Sequence, residues 1–388
     1  MTACPVRHGP AHPAADPPGV GERAPFFEAA PSGYRWEDSD AQVAAAHGID
    51  PASIVRFDTN TSPRVPPGLD ALVATEAARL ALNEYPDATY AGLTDAIAGL
   101  MGVPAEHIVV GAGADEVLDL IAKSCLPAGG RAVQSSPTYA MYRVLTLQRA
   151  ACLVEVPRGP DGAGFPLDLD ALVRESSDAD MLWLCDPDNP TATVQPPGVL
   201  TDLLARLSDL PGGGPVVVVD EAYREFAGQT LAGDVARFPR LIVVRTASKA
   251  YGLAGMRVGW AIASEPMIER LSAVRPPGSI SSLSAAVAAS VLSQPGFAAV
   301  NVAALVHERE RLRAGLASHG WRVPTSVTNF VLLDGGTAEG VDAAAARLLR
   351  RGLVPRRFQD GRLRAYLRLT VRTPGQDDRL VAALGDRP

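Results

Sequence analysis

The chain has 388 residues, of which 47% are hydrophobic and 20% charged, and a formal net charge of −7. This length can bury a large core in about two domains, and the negative balance argues against a nucleic-acid-binding protein, which usually carries a basic surplus. The four cysteines form no CxxC pair, and the six histidines show no HExxH or HxH spacing, so we expect no metal site. We also expect no membrane-spanning helix, because no apolar stretch approaches the necessary length. The expected location is the cytoplasm.

The beginning of the chain differs in composition from the remainder. Residues 1–33 are rich in Pro, Ala, Gly and His and contain no apolar run of signal-peptide length. Such a composition predicts a disordered extension. A helical segment through AQVAAAHG and a short strand within IVRFDTNTSP come next.

The middle of the chain alternates between helices and apolar strands. Helical spacing covers residues 68–82 and 90–102, and HIVVGAG then predicts a strand that leads into the helix ADEVLDLIAKSCL. Further strands are predicted from their apolar runs: RAVQSSPTY, MLWLCDPDNP, VVVVDEAY and LIVVRTASKAYG. Helices of about ten residues between such strands indicate parallel pairing with both faces of the sheet covered.

The last third of the chain has a different pattern. A long helix is predicted over residues 298–319, followed by a strand in TNFVLLDG, a helix over 340–351 and a strand in LRAYLRLTVR. We therefore predict an α/β fold, with a large domain whose mostly parallel sheet is flanked by helices and a smaller α+β domain.

The segment RTASKAYGLAGMRVGW, residues 245–260, is the first candidate for chemistry. Lys249 directly follows a predicted strand and precedes three glycines, which suggests backbone in close contact or at positive φ. Arg257, eight residues further on, suits a phosphate. An ordinary surface lysine in a loop is the alternative interpretation.

Other predicted strands also end in polar residues, and ligands of open α/β sheets bind at the carboxyl ends of strands. GAGADE, residues 111–116, places small residues at a helix start, where free N–H groups favour phosphate. It lacks the third glycine of a dinucleotide fingerprint, which Glu116 replaces, so a Rossmann fold is not favoured. Asp220 ends a strongly apolar strand, and an acid there is costly to bury unless it meets a cation.

Six motifs in order, GADE, PTY, DNPT, DEAY, SKAYGLAGMR and LRLTVRT, resemble the fold-type I aminotransferases that use pyridoxal 5′-phosphate (PLP). Within them the sequence is most similar to the histidinol-phosphate aminotransferase family, from about Phe57 to Leu384. The resemblance implies a large PLP-binding domain over 76–290 and a small domain over 291–388, which residues 34–75 join. It further implies a homodimer with composite active sites, which acts on a small amino substrate and a keto acid.

The resemblance also implies catalytic roles. Lys249 would hold the cofactor as an imine and move a proton on the substrate, and Asp220 would pair with the pyridinium nitrogen, which keeps the ring an electron sink. Tyr223 and Asn189 would bind the ring 3′-oxygen, and Tyr139 would stack on the ring.

The remaining implied roles concern phosphate and substrate. The cofactor phosphate would be held by residues from three segments: Gly113, Ala114, Asp115, Thr246, Ser248 and Arg257. Tyr85 would reach the phosphate of the neighbouring subunit. By the resemblance, Asn60, Arg356 and Arg368 would bind the substrate, with Arg368 in bidentate contact with a carboxylate. The alternation of LRLTVRT places Arg372 on the same strand face as Arg368, so we expect it to bind the substrate as well. The alternative is that Arg372 points to solvent and pairs with Asp377 or Asp378.

The sequence departs from the family pattern where the substrate would lie. Thr61 and Ser62 follow Asn60 in place of the usual residues, and Ala192 and Arg372 replace glycines. The substrate thus remains open between an amino acid and an amino alcohol, with or without a second anionic group such as phosphate. A decarboxylase or an oxidative deaminase on the same scaffold is the alternative enzyme, since the same lysine and aspartate serve all three reactions.

Overall fold

A computed structural model describes Tyr34 and residues 36–294, 296–359 and 361–387. The predicted extension, residues 1–33, lies outside this part. The strands of the described part are β1 Val55–Arg56, β2 Ile108–Gly111, β3 Arg131–Ser136, β4 Cys152–Pro157, β5 Met181–Cys185, β6 Val216–Asp220, β7 Leu241–Thr246, β8 Gly259–Ala263, β9 Phe330–Asp334, β10 Leu353–Val354, β11 Arg356–Arg357 and β12 Tyr366–Thr370. Its α-helices are α1 Asp40–His47, α2 Leu69–Arg79, α3 Ala91–Met101, α4 Ala114–Cys125, α5 Ala140–Gln148, α6 Leu169–Glu175, α7 Val199–Ser208, α8 Glu265–Ser272, α9 Ser282–Leu292, α10 Phe297–Ser318, α11 Ala338–Leu349 and α12 Pro374–Leu384.

Seven strands form the large sheet, in the order β2-β8-β7-β6-β5-β3-β4. Strands β7, β6, β5, β3 and β4 are parallel, whereas β8 is antiparallel to both of its neighbours. The carboxyl ends of β5, β6 and β7 therefore lie side by side, and Asp220 and Thr246 are the last residues of β6 and β7.

Both faces of this sheet are buried, as its uninterrupted apolar strands predict. Alternate residues of β5 point to opposite faces of the sheet. Leu182 and Leu184 pack with residues of α3, α6, α7 and α9. Met181 and Trp183, which alternate with these leucines, pack with residues of α4, α5 and α8. The predicted α/β class with a mostly parallel sheet flanked by helices is confirmed.

The smaller unit contains two further sheets. Strands β11, β12 and β9 form an antiparallel sheet, and β1 pairs in parallel with β10. Because β1 comes from the start of the described chain and β10 from its end, the N-terminal part joins the C-terminal unit. The exact boundaries of the predicted domains stay a prediction.

Predicted and observed elements agree best where apolar spacing is long and regular. The helices predicted over 68–82, 298–319 and 340–351 correspond to α2, α10 and α11 within three residues at either end. The antiparallel strand β8 was not anticipated, because GWAIA is as apolar as its parallel neighbours. Within the described residues no single helix is long and apolar enough to cross a membrane; α9 and α10 meet that test only as a bent pair.

Candidate active site

A cavity of about 480 Å³ opens at the carboxyl ends of the central strands, and residues of the smaller unit complete its lining. This volume suits a small molecule or a cofactor. Thirteen of the residues predicted from the sequence line it: Asn60, Ala114, Asp115, Tyr139, Asn189, Asp220, Tyr223, Thr246, Ser248, Lys249, Arg257, Arg356 and Arg368. Gly113, Tyr85 and Arg372 are the predicted site residues outside this lining.

Lys249 lies three residues after the end of β7 and faces the cavity. Burial, and after it the positive charge of Arg368, lowers the pKa of the Lys249 ammonium to about 8. Its Nζ atom is 5.8 Å from the centre of the Tyr223 ring. A larger share of this amine is therefore neutral at physiological pH than of a surface lysine, and only a neutral amine attacks a carbonyl.

Asp220 presents a buried carboxylate to the cavity. The Tyr142 hydroxyl donates to its Oδ2 (2.9 Å) and the backbone N–H of Ala222 to its Oδ1 (3.0 Å). Burial raises the pKa of Asp220 to about 6. No arginine or lysine of the described chain lies within ion-pair distance of it, so this acid would favour a cationic group in the cavity.

A cradle of hydrogen-bond donors that could hold a phosphate lies where α4 begins. Its first N–H groups point along the helix axis into the cavity wall, and the helix dipole favours an anion there. The Thr246 and Ser248 hydroxyls, 2.9 Å apart, and Arg257 lie beside them in the cavity lining. Gly113 contributes through its missing side chain: a Cβ on it would lie 2.5 Å from Arg257 Nη2.

Two almost fully buried ion pairs anchor the DPDNPT loop. Arg158 pairs with Asp188 at 3.0 Å, and Arg224 pairs with Asp186 at 2.6 Å. These acids hold the loop in place, which positions Asn189 in the cavity. The DEAY acid Glu221 is likewise structural, because it pairs with Arg245 at 3.0 Å.

Arg368 is buried on β12 and directs its guanidinium towards the cavity. Its Nη1 donates to Asn189 Oδ1 (2.6 Å) and its Nη2 to the Asp58 carbonyl oxygen, while its Nε has no protein partner among the described residues. Arg356 lies directly opposite on β11, since the two residues are register partners. Two guanidinium groups side by side make an anion site.

Tyr223 and Asn60 connect the two units beside this arginine pair. Asn60 Nδ2 donates to the Tyr223 hydroxyl (2.9 Å), and Asn60 is held by Thr370 and Asn329 of the smaller unit. Asn60 adopts a left-handed φ of 52°, a conformation that asparagine tolerates better than most residues. Burial raises the pKa of the Tyr223 hydroxyl, which keeps it protonated and able to donate.

Two predicted site residues lie elsewhere. Tyr85 is 95% exposed and lies in a surface groove with Pro86 and Ser281, away from the cavity of its own chain. Arg372 follows the end of β12, and its guanidinium donates to the carbonyl and hydroxyl oxygens of Thr61, a cavity residue. Its effect on the cavity is thus indirect, through Thr61.

The positions that depart from the family pattern differ in their surroundings. Thr61 lines the cavity, whereas the Ser62 hydroxyl contacts Asn301 of α10. Ala192 is buried at a φ of 63°, a conformation that glycine adopts more easily. Thr61 is therefore the one of these three that could touch a ligand.

Several cavity residues were not predicted from the sequence. Tyr34, Trp36 and Asp58 come from the N-terminal part and lie in the lining with Arg356. Tyr142, three residues after Tyr139, is in contact with Asp220 through its hydroxyl. Tyr139 is the N-cap residue of α5 and Tyr142 lies in its first turn; no local sequence signal indicated this second tyrosine.

Comparison with known proteins matches residues 55–384 to the family of class I and II aminotransferases. A histidinol-phosphate aminotransferase of Thermococcus kodakarensis is 35% identical over 81% of this chain and 87% of that protein. A crystal structure of histidinol-phosphate aminotransferase from Sinorhizobium meliloti, in complex with pyridoxal-5′-phosphate, has a TM-score of 0.82 and 26% identity, covering 90% of this chain and 94% of that one. L-threonine-O-3-phosphate decarboxylase from Porphyromonas gingivalis, at 23% identity and a TM-score of 0.72 over 85% of this chain and 98% of that one, shares the fold.

Proposed function

This chain belongs to the class I and II aminotransferases and is a PLP-dependent transferase, and from this premise we propose that it binds PLP at Lys249. The substrate would be a small amino acid or amino alcohol whose anionic group binds Arg368. The observation that carries the proposal is the joint presence, in one cavity, of a lysine of lowered pKa, a buried acid and a phosphate cradle.

The cavity fits PLP on three structural grounds. Asp220 is a buried carboxylate without a described cationic partner, and a protonated pyridine nitrogen would supply one. The start of α4, with Thr246, Ser248 and Arg257, would hold the phosphate dianion. Gly113 lets Arg257 lie against the start of α4, because a Cβ at this position would be 2.5 Å from Arg257 Nη2.

When bound, PLP withdraws electrons from the substrate carbon that carries the amino group, so that a proton can leave it. The lysine Nζ would take this proton, since its lowered pKa makes it a base near neutral pH. Tyr223 and Asn189, both in the lining, would donate hydrogen bonds to the 3′-oxygen of the ring. Asp220 would keep the ring nitrogen protonated.

Arg368 would bind the anion next to the reacting carbon. The Nε of Arg368 has no hydrogen-bond partner among the described residues. Because Arg368 is buried, its positive charge is costly to leave without a counter-charge, which favours a bound anion. Histidinol phosphate is the first substrate to test, because relatives of 32–35% identity are named histidinol-phosphate aminotransferases.

We also propose a homodimer with composite sites, because Tyr85 is exposed and lies outside the cavity of its own chain.

Product analysis tests this proposal against decarboxylation and oxidative deamination. Purified protein supplied with PLP, histidinol phosphate or an α-amino acid, and 2-oxoglutarate should produce glutamate in equal amount to the amino compound consumed. Release of CO₂ in place of glutamate would indicate a decarboxylase, and consumption of O₂ an oxidative deaminase. Absence of all three products with a broad panel of amino compounds would contradict the proposal.

A further inference from the structure

The first described residues of the chain contribute to the lining of the cavity. Tyr34 and Trp36 line it, with their rings edge to face at 4.9 Å. The guanidinium carbon of Arg356 is 5.2 Å from the centre of the Tyr34 ring. This short segment is therefore in contact with the same arginine that lies opposite Arg368.

Glu37, the next residue, places a carboxylate against the strand that carries this arginine. Its Oε1 is 3.8 Å from Arg356 Nη1 and accepts from the backbone N–H of Arg357 at 3.1 Å, and its Oε2 is 3.4 Å from Arg357 Nη2. Only 11% of the Glu37 side chain is exposed. Contacts on both oxygens and this burial hold the carboxylate beside the anion site.

The two arginines of the site consequently differ in charge compensation. Arg356 has Glu37 within ion-pair distance, whereas the partners of Arg368 among the described residues are uncharged groups. A second carboxylate, that of Asp58, lies in the lining and pairs with Arg56 at 2.7 Å. Burial, and to a lesser degree the charge of Glu37, raises the pKa of Asp58.

We propose that Glu37 is a specificity-determining residue that sets which anion the arginine pair accepts, a role that rests on the aminotransferase function proposed above. Glu37 competes with the substrate for Arg356 and repels each negative charge placed between the arginines. The repulsion acts on two negative charges of a dianionic phosphate ester but on only one charge of a carboxylate. Glu37 therefore shifts the selectivity of the site from phosphate esters towards carboxylates.

Histidinol phosphate and L-histidine form a suitable probe pair, because they share the imidazole group and differ in the anion. At pH 8 the phosphate ester is a dianion, since its second pKa is about 6. The measurement is the ratio of kcat/KM for the phosphate ester to kcat/KM for histidine. Glu37→Gln should raise this ratio about tenfold, because one nearby like charge is removed at a partly buried site. Glu37→Ala removes the same charge and should move the ratio in the same direction.

Asp38→Asn is the matched control, because Asp38 is the adjacent acid, is exposed, and meets Arg56 only through its carbonyl oxygen. Its ratio should stay within about twofold of the wild type, since an exposed charge is screened. An unchanged ratio in both Glu37 variants would overturn the proposal. An equal rise in Asp38→Asn would also overturn it, because the effect would then come from overall charge.

A binding measurement separates this inference from the proposed function. Calorimetry on the PLP-loaded protein would compare the dissociation constants of inorganic phosphate and acetate in the wild type and Glu37→Gln. The variant should favour phosphate over acetate about tenfold more than the wild type does. If the wild type converted no amino compound, the proposed function would fail, and this binding ratio alone would decide: a rise supports the role of Glu37, and no change refutes it.

Discussion

The Tyr142 hydroxyl donates a hydrogen bond of 2.9 Å to Oδ2 of Asp220. The Tyr142 ring is fully buried and stacks on Trp183, with ring centres 5.4 Å apart and planes 5° apart. The phenol can therefore hardly turn away from the carboxylate. A donated hydrogen bond favours the ionised acid, so we assign Tyr142 as a positioning residue that acts through Asp220.

Tyr142→Phe should move the acid limb of the kcat/KM profile about one pH unit higher, because a hydrogen bond to a charged group contributes about 1.5–3 kcal/mol. The direction follows from the charge: loss of the donor raises the pKa of Asp220, and activity that needs the ionised acid is lost as pH falls through that pKa. Tyr90→Phe, which removes another buried phenol that bonds to Ile280 away from the cavity, is the control. A profile that moves equally in both variants, or in neither, would refute the assignment.

Asp220→Asn should retain PLP binding but lose several orders of magnitude in the rate of proton removal from the substrate. The amide cannot keep the ring nitrogen protonated, so the electron sink is weakened. Single-turnover absorbance changes on mixing with an amino donor measure this rate, and the visible spectrum reports retention of the cofactor. Turnover near the wild-type value in the variant would show that Asp220 does not control the ring nitrogen.

The motifs predicted polar residues at single strand ends that line the cavity in the structure, and their roles stay predictions. Asp220 is the last residue of β6 and Lys249 follows β7, and the parallel pairing of β6 and β7 brings those ends together. Contacts between distant parts of the chain were not predictable in this way. Glu37 meets Arg357 across 320 residues, and the role of Tyr142 depends on how α5 packs against β6. No local pattern encodes either contact.

The chain contains two lysines, Lys123 and Lys249, which makes the site of cofactor attachment unusually easy to map. Borohydride reduction of the yellow PLP-loaded protein should fix one pyridoxyl group, and peptide mapping should find it on Lys249. Lys123 is half-exposed and ion-paired with Asp119 at 2.5 Å, so Lys123→Ala should be labelled normally. Lys249→Ala should take no label, and a pyridoxyl group on Lys123 in the wild type would contradict the assignment.

The pKa of Lys249 predicts how apoprotein captures PLP. Because the neutral amine reacts and its pKa is lowered to about 8, the capture rate should rise with pH between 7 and 9 and level off above that range. Stopped-flow absorbance after mixing apoprotein with PLP measures it. A rate that still rises steeply above pH 10, as for an unperturbed lysine, would show that burial does not lower this pKa.

Tyr85 and Lys249 provide a test of the proposed composite dimer. Tyr85→Ala should fold normally, because the side chain is 95% exposed, yet lose activity if Tyr85 serves the neighbouring site. Mixing it with Lys249→Ala under conditions of subunit exchange should restore roughly a quarter of the wild-type activity, since half of the dimers would be mixed and each would have one intact site. Mixing Asp220→Asn with Lys249→Ala should restore nothing, because both residues belong to one site of one chain. Full activity of Tyr85→Ala, or of a monomer, would refute the composite site.

Arg368 and Arg372 are four residues apart and fall on the same face by strand alternation, but the structure gives them different surroundings. Arg368 points to the cavity, whereas the Arg372 guanidinium donates to Thr61 at 3.2 Å and its backbone N–H to Asp377 at 3.1 Å. Arg368→Lys should raise KM for anionic substrates by about a hundredfold, because lysine cannot reproduce a two-pronged contact. Arg372→Gly should change KM by less than about tenfold and leave PLP affinity unaltered, because it acts only by freeing Thr61. Thr61→Val, which keeps the shape but removes the hydroxyl, should reproduce part of the Arg372→Gly effect. If Arg372→Gly instead matched Arg368→Lys in its loss of substrate affinity, Arg372 would have to contact the substrate directly, and the indirect route through Thr61 would be wrong.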